Sequence, residues 1–418
     1  MSRRGRSRRR LSPSRLSSRR LPPRGRWIAL GLGLLAGLGL GSLEADAGAD
    51  ARWLAGELTA LPLPDLDPDP PALRAVGLVH QHGEGVASWL GADLGHHDFG
   101  SSHPLFQEEW AFGTLQMAAL GYANLAEADP EHRALHLARM ERCLDGMLSE
   151  TGRAFDLRRW GRDALAAAEH PRGHAAWLGY AGLALARHRQ LTGPDTRFAA
   201  VTQTVAEGLR LRFRASPIGV PETYPGERYP VDAAAGIAAL AVLAAAEGTP
   251  EPVVEEWRSA RFGALRDAET GLLHQAVDAS GRSVDGPRGS GTLLAAWFLG
   301  QAGLSEGAAL AAAAERELAG TVMGFGTMRE YPRGQEGRGD IDSGPIVLGQ
   351  GVSATGFGLG VALQQCRHDA ARDRFRTAEA FGGPVVDGTA RHYQNGGPIG
   401  DAILFAMLSS GLGACPEG

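Results

Sequence analysis

Three carboxylates crowd into residues 221–232, PETYPGERYPVD: Glu222, Glu227 and Asp232, interleaved with Tyr224, Arg228 and Tyr229. Crowded carboxylates at a half-dry mouth push one another's pKa upward, which keeps one of them protonated as a general acid. The two tyrosines would supply a wall and hydroxyls for a polar substrate. His174 opens another apolar stretch, where a helix N-terminus disfavours the imidazolium and keeps a neutral base. Further on, Arg329, Asp340 and Asp342, with Glu330, Arg338 and Ser343 around them, bring charges of both signs to one loop, suited to a carboxylate or an array of sugar hydroxyls. The densest histidine region holds His80, His82, His96, His97, Asp98 and His103. Its spacings match no zinc pattern, so no metal is expected, and the segment reads as a loop that folds over the mouth and delivers Asp98.

What must position these groups is a set of helices that are apolar on every side. Residues 230–248, PVDAAAGIAALAVLAAAEG, have no polar stripe and so belong inside a protein. Pro230 blocks an earlier start, Asp232 is placed to cap the first turn, and Gly248 with Pro250 stops the helix. Similar apolar helices are expected to begin near Gln107, His174, Asp232, Ser290, Ser343 and Gly400. That recurrence is the signature of repeated hairpins. Between them lie amphipathic partners with helical spacing, such as Leu137, Met140, Leu144 and Met147. Six inner helices wrapped by outer ones predict an all-α fold, an (α/α)6 barrel, over residues 80–418. One small hairpin is expected near residues 271–286. The glycines of GYAGLALA and GLGQGVSATGFGLGVA let neighbouring helices approach closely.

Composition narrows the chemistry. All 42 basic residues of this 418-residue chain are arginine. Without lysine there is no Schiff base, no covalently held pyridoxal phosphate and no phosphate-loop lysine. Eleven of the arginines precede Trp27 with no acid among them, so 31 face 47 acidic residues in the remainder, a balance that repels nucleic acid. Residues 1–26 read as a disordered leader. Residues 27–43, WIALGLGLLAGLGLGSL, carry no charge and read as a transmembrane anchor or, alternatively, a signal-peptide core. The arginines place their own side in the cytoplasm and the body outside it, as a periplasmic or extracellular domain. Residues 44–79 form a Pro/Asp-rich spacer. Cys143, Cys366 and Cys415 are too few for a disulfide framework and are expected as buried free thiols, the alternative being a Cys366–Cys415 pair in an oxidising compartment.

The order of these pieces resembles the linalool dehydratase/isomerase family from about residue 98 to residue 361. The matching parts are Trp110 at the first inner helix, ALGYANLAEADPEHRAL, RGHAAWLGYAGLALARHRQLTG, the Glu-bearing loop before VDAAAGIAALAVL, DAETGLL, and GDIDSG before GVSATGFGLGVAL. The resemblance implies that Asp98, His174 and Glu222 stand where that family places catalytic or substrate-contacting residues. It also sets Asp232 where the family has a cysteine and His274 where it has a tyrosine, and the family's other active-site cysteines have no counterpart. The function expected on this footing is a cofactor-free lyase or isomerase acting on a small molecule, with His174 as base and Glu222 or Asp232 as acid. Asp98 closes the site, and Tyr224, Tyr229, His274, Arg329, Asp340 and Asp342 contact substrate. Two alternatives stand beside it. One is a carbohydrate-active (α/α)6 enzyme: a glycoside hydrolase, uronate lyase or sugar epimerase. The other is a catalytically inactive binding scaffold tethered at the membrane.

Overall fold

The computed structural model describes residues 76–91, 94, 99, 104–340 and 343–412. The leader, the apolar run, most of the spacer, Asp98, Asp342 and Cys415 lie outside the described residues. Six helices form an inner ring: α2 (Pro104–Ala128), α5 (Ala175–Thr192), α7 (Pro230–Glu247), α9 (Gly289–Gln301), α11 (Val352–Gln364) and α13 (Gly397–Ser409). Each packs against the next, and α13 packs back against α2, which closes the ring. The outer layer is α1 (Val76–Leu90), α3 (Arg133–Leu148), α6 (Ala199–Ala215), α8 (Pro252–Glu256), α10 (Ser305–Leu318) and α12 (His368–Gly382). α8 continues into a π-helical turn, Trp257–Arg261, and a 3-10 turn, Phe262–Leu265. An additional helix, α4 (Glu150–Trp160), packs on α2 and α3. This is the (α/α)6 barrel expected from the repeat.

Inner and outer helices differ as their sequences require. α7 is buried over almost its whole length, whereas α6 buries one face built on Val205, Leu209 and Phe213. α7 is also long and apolar enough to cross a membrane by length and composition, and here it is a core element. Where α5 meets α7, a Cβ at Gly179 would lie 3.0 Å from Gly236 N and 3.1 Å from Asp232 O. Only paired glycines allow that approach.

The inner helices run in the same direction. Tyr180 near the start of α5 bonds Asp232 in the first turn of α7. At the other end Asn124 donates to Ser409 at 3.0 Å, and Trp297 donates to Ser410 at 2.6 Å. All six N-termini therefore share one face.

Among the described residues, four antiparallel hairpins decorate the barrel, where the sequence predicted one. β1 (His274–Val277) and β2 (Ser283–Pro287) form the expected one. β3 (Ala319–Val322) pairs with β4 (Phe325–Met328), β5 (Ile346–Val347) with β6 (Gln350–Gly351), and β7 (Pro384–Asp387) with β8 (Ala390–Tyr393). The third explains why α11 begins at Val352 and not near Ser343: the intervening residues are consumed by a tight hairpin with glycine at positive φ. These strands are two to five residues long, too short to show an alternation. The cysteines also depart from the expectation of free thiols: Cys143 is free and buried, but Cys366 is disulfide-bonded.

Candidate active site

His174 is the N-cap residue of α5 and adopts a left-handed backbone, φ 63° and ψ 22°, one of four non-glycine residues with positive φ among those described. That conformation costs free energy and is held by its surroundings. The fully buried Arg212 of α6 donates to the carbonyls of Ala167, Ala168, Gly173 and Gly208. It thereby staples the loop before α5 to the barrel. Asp156, on α4 and also buried, receives a hydrogen bond from His174 Nδ1 at 2.5 Å. Burial raises the Asp156 pKa, and the bond from His174 opposes that rise. With Nδ1 committed to Asp156, Nε2 is the nitrogen left for chemistry. Trp160 packs its ring on the imidazole at 5.1 Å, over a glycine, since a Cβ at Gly173 would meet that ring at 2.7 Å.

The carboxylate loop meets His174 here. Ala175 N donates to Glu222 O, and Trp160 Nε1 donates to Thr223 O at 3.0 Å. Glu222 is buried and ion-paired with both Arg172 (2.9 Å) and Arg228 (2.7 Å). Asp232 does not cap α7, whose N-cap is Tyr229 with no side-chain bond. Instead Tyr180 donates to Asp232 Oδ1 at 2.6 Å and Thr223 to Oδ2. Hydroxyls soften the loss of water only in part, so burial lifts the Asp232 carboxyl to about 6. Glu227 accepts from Arg159 at 2.5 Å and Tyr229 at 2.8 Å, and Tyr224 donates to Glu109 while the Arg159 guanidinium stacks 4.3 Å from its ring. Beside this network lies a cleft of about 310 Å³ lined by Trp160, Arg162, His170, Arg172, His174 and Pro225.

A second polar cluster gathers at the start of α9. Glu330 is fully buried, accepts from Ser290 Oγ at 2.6 Å, and is pushed up to about 7 by burial. Arg288 bridges Asp285 and Asp340, and lies over the Tyr331 ring. Asp340 also accepts from Ser343 N, so it orders its own loop. Arg329 donates to Tyr331 O. His274 on β1 is half-buried, and burial lowers its pKa. The two clusters share the face of the N-termini and are joined through β1, where Val277 N donates to Arg228 O at 3.0 Å.

His174, Glu222, Tyr224, Tyr229 and Asp232 thus converge in one patch, whereas Arg329 and Asp340 belong to the neighbouring cluster with His274 on the linking hairpin. Sequence reasoning missed Asp156, Trp160 and Arg172. The one available signal was Asp156 set beside Phe155 in an otherwise arginine-rich helix.

No family model matches the chain, and no curated protein does. Among solved structures it is similar to a GH76 α-mannanase from Bacteroides thetaiotaomicron, at 11% identity over 82% of this chain and 98% of that one, with a TM-score of 0.49. It is also similar to the GH76A α-1,6-mannanase of a Salegentibacter species, at 15% identity, 81% and 99% coverage and a TM-score of 0.48. An inactive variant of that enzyme, in complex with α-1,6-mannotriose, matches at 15% identity, 81% and 99% coverage and 0.49. These neighbours are α-mannanases and not linalool dehydratase/isomerases, which corrects the expected kinship with that family. The motifs behind that expectation are mostly Ala, Gly and Leu, which any closely packed inner helix of such a barrel requires.

Proposed function

We propose that the protein is a carbohydrate-active enzyme that hydrolyses glycosidic bonds at the face of the inner-helix N-termini. The observation that carries this reading is the make-up of the cleft. An indole platform, two arginines and a second histidine, His170, surround the imidazole that Asp156 orients. Sugars stack on such rings and bond to such charges, while an isoprenoid needs a dry aliphatic hole. The apolar void between α5, α6 and α7 offers only about 10 Å³, too small for one.

In this reading Asp232, lifted to about 6, is the acid that protonates the leaving oxygen. His174 Nε2 activates the attacking water, with Asp156 fixing the tautomer. Arg162 and Arg172 hold an anionic substituent of the sugar, and Trp160 carries its apolar face. No step calls for a cofactor. The leader and the disulfide at Cys366 support a body outside the cytoplasm.

The experiment is release of reducing ends from panels of neutral and acidic oligosaccharides in α and β linkage. Asp232→Asn and His174→Ala are expected to lower kcat by about 10²-fold or more, and Trp160→Ala to act mainly on KM. Folded protein that releases nothing from any panel, or an Asp232→Asn variant as active as the parent, would sink the assignment.

A further inference from the structure

At the end of the ring away from that cleft, three histidines surround one carboxylate. Asp129 directly follows the last turn of α2, His132 and His136 stand at the start of α3, and His80 comes across from α1. All three rings aim a nitrogen at the same oxygen, Oδ2 of Asp129: His80 Nε2 at 2.8 Å, His132 Nδ1 at 2.9 Å and His136 Nε2 at 3.1 Å. The rings stand edge to face, with centroids 4.9 Å apart for His80 and His136, and 5.5 Å for His80 and His132. Donor atoms of His80, Asp129 and His136 lie within 4.8 Å of one another. His136 is fully buried and its Nδ1 has no partner, so the bonding of that ring runs through the nitrogen that faces the cluster. The floor is therefore dry, while His80 and His132, with side chains 25% and 50% exposed, leave a route in from solvent.

We propose that these four residues form a structural site for a divalent transition metal, zinc by the chemistry of its ligands. Imidazoles and a carboxylate are the donors zinc prefers, and four of them make a closed tetrahedral site with no position left for a substrate. Metal–ligand bonds of about 2.0–2.2 Å set tetrahedral donor atoms roughly 3.3 Å apart. The nitrogen–oxygen separations already lie near that value. The bound ion takes over the role Asp129 now plays alone, drawing three rings from two elements to one point. Its consequence is mechanical. It clamps α1, the first helix of the barrel, onto the α2–α3 hairpin, beside the Arg139–Glu84 pair and the bonds that Tyr122 and Arg142 donate to the carbonyls of Gly83 and Leu90.

The test uses the full chain stripped with a chelator, desalted, and reloaded with zinc, cobalt or magnesium salts. The expected result is about one zinc retained per chain by elemental analysis. Tm should rise by about 4 °C over the magnesium control, with the intense visible absorption of tetrahedral cobalt. Because His136→Ala empties the buried floor, the deciding variants are His80→Ala and His132→Ala at the accessible rim, with folding checked by circular dichroism. Both should lose the retained metal and the Tm rise. Absence of retained zinc in the parent would overturn the proposal, and so would a His80→Ala/His132→Ala double variant that keeps the same stoichiometry and shift. Neither readout depends on activity, so the outcome stands apart from that of the sugar-cleaving assignment.

Discussion

Asp232 is a charge taken out of water with two hydroxyls as its compensation, and that arrangement has a measurable sign. Its carboxyl titrates near 3.8 when the chain is unfolded and at about 6 when folded. Below pH 4 both states carry the proton and the group is neutral in the balance. Between pH 4 and 6 the unfolded chain ionises first, so folding loses up to about 1.4 kcal/mol per pH unit, roughly 3 kcal/mol by pH 6, and nothing further above it. Asp232→Asn, which cannot ionise, removes that slope. Urea midpoints taken at pH 4, 5, 6 and 7 should show the variant gaining on the parent by about 3 kcal/mol across the window. A difference that stays flat would mean that the carboxyl titrates as if solvated. Glu330 predicts the same behaviour for Glu330→Gln in a window shifted upward, since its carboxyl moves from 4.5 to about 7. How far such residues can be read from sequence depends on what betrays them. His174, Glu222 and Asp232 were legible because each sits where a polar loop enters an apolar helix. Asp156 and Trp160 were not, because α4 is a short charged helix whose buried side is just Gly152, Phe155 and Asp156. Nor could spacing alone decide whether Asp232 caps its helix or faces Tyr180 and Thr223, because the choice is made by side chains on other elements.

At the scale of elements, the inner ring was predictable from the absence of a polar stripe, and the outer ring from the presence of one. The hairpins were not, since two-residue strands leave no period to detect and owe their pairing to the helix ends they bridge. The α5–α7 contact shows what the inner helices demand. Backbone meets backbone at Gly179 and Gly236, and neither a rotamer change nor a small side-chain shift can make room for a larger residue. Gly179→Val is therefore expected to cost about 3 kcal/mol, more than the gain in helix propensity returns. The control is Gly77→Ala on the outer helix α1, where an added Cβ meets nothing within 4 Å and the residue is exposed. There the change should leave stability unaltered or raise it by up to about 1 kcal/mol. Because Gly179 lies beneath Asp232, the same valine should also disturb the Tyr180–Asp232 bond, so activity is expected to fall faster than stability.

A ring differs from a row of hairpins in that its last element must find its first. α13 closes this barrel against α2, some three hundred residues away in sequence, and the seam is one of the more extensively packed junctions of the ring. Phe405 is fully buried with its ring edge-to-face on Tyr122 at 4.8 Å, and it fills the surface left bare by Gly83 and Gly121. Asn124 reaches Ser409 across the same seam, and Trp89 of α1 donates to Asp401 at 2.6 Å. No inner helix has a polar face to show to water, so an open arc of five would expose the flanks of both terminal helices. The fold should then behave as one cooperative unit, with the seam as critical as any interior contact. Phe405→Ala tests this. Loss of the ring and the cavity it leaves should cost about 3–5 kcal/mol. The whole thermal transition is expected to move down together, seen alike by far-ultraviolet circular dichroism and by tryptophan fluorescence. An early partial transition confined to α13 and α1, followed by melting at the parent temperature, would instead show that the remaining hairpins hold together unaided and that closure adds stability locally.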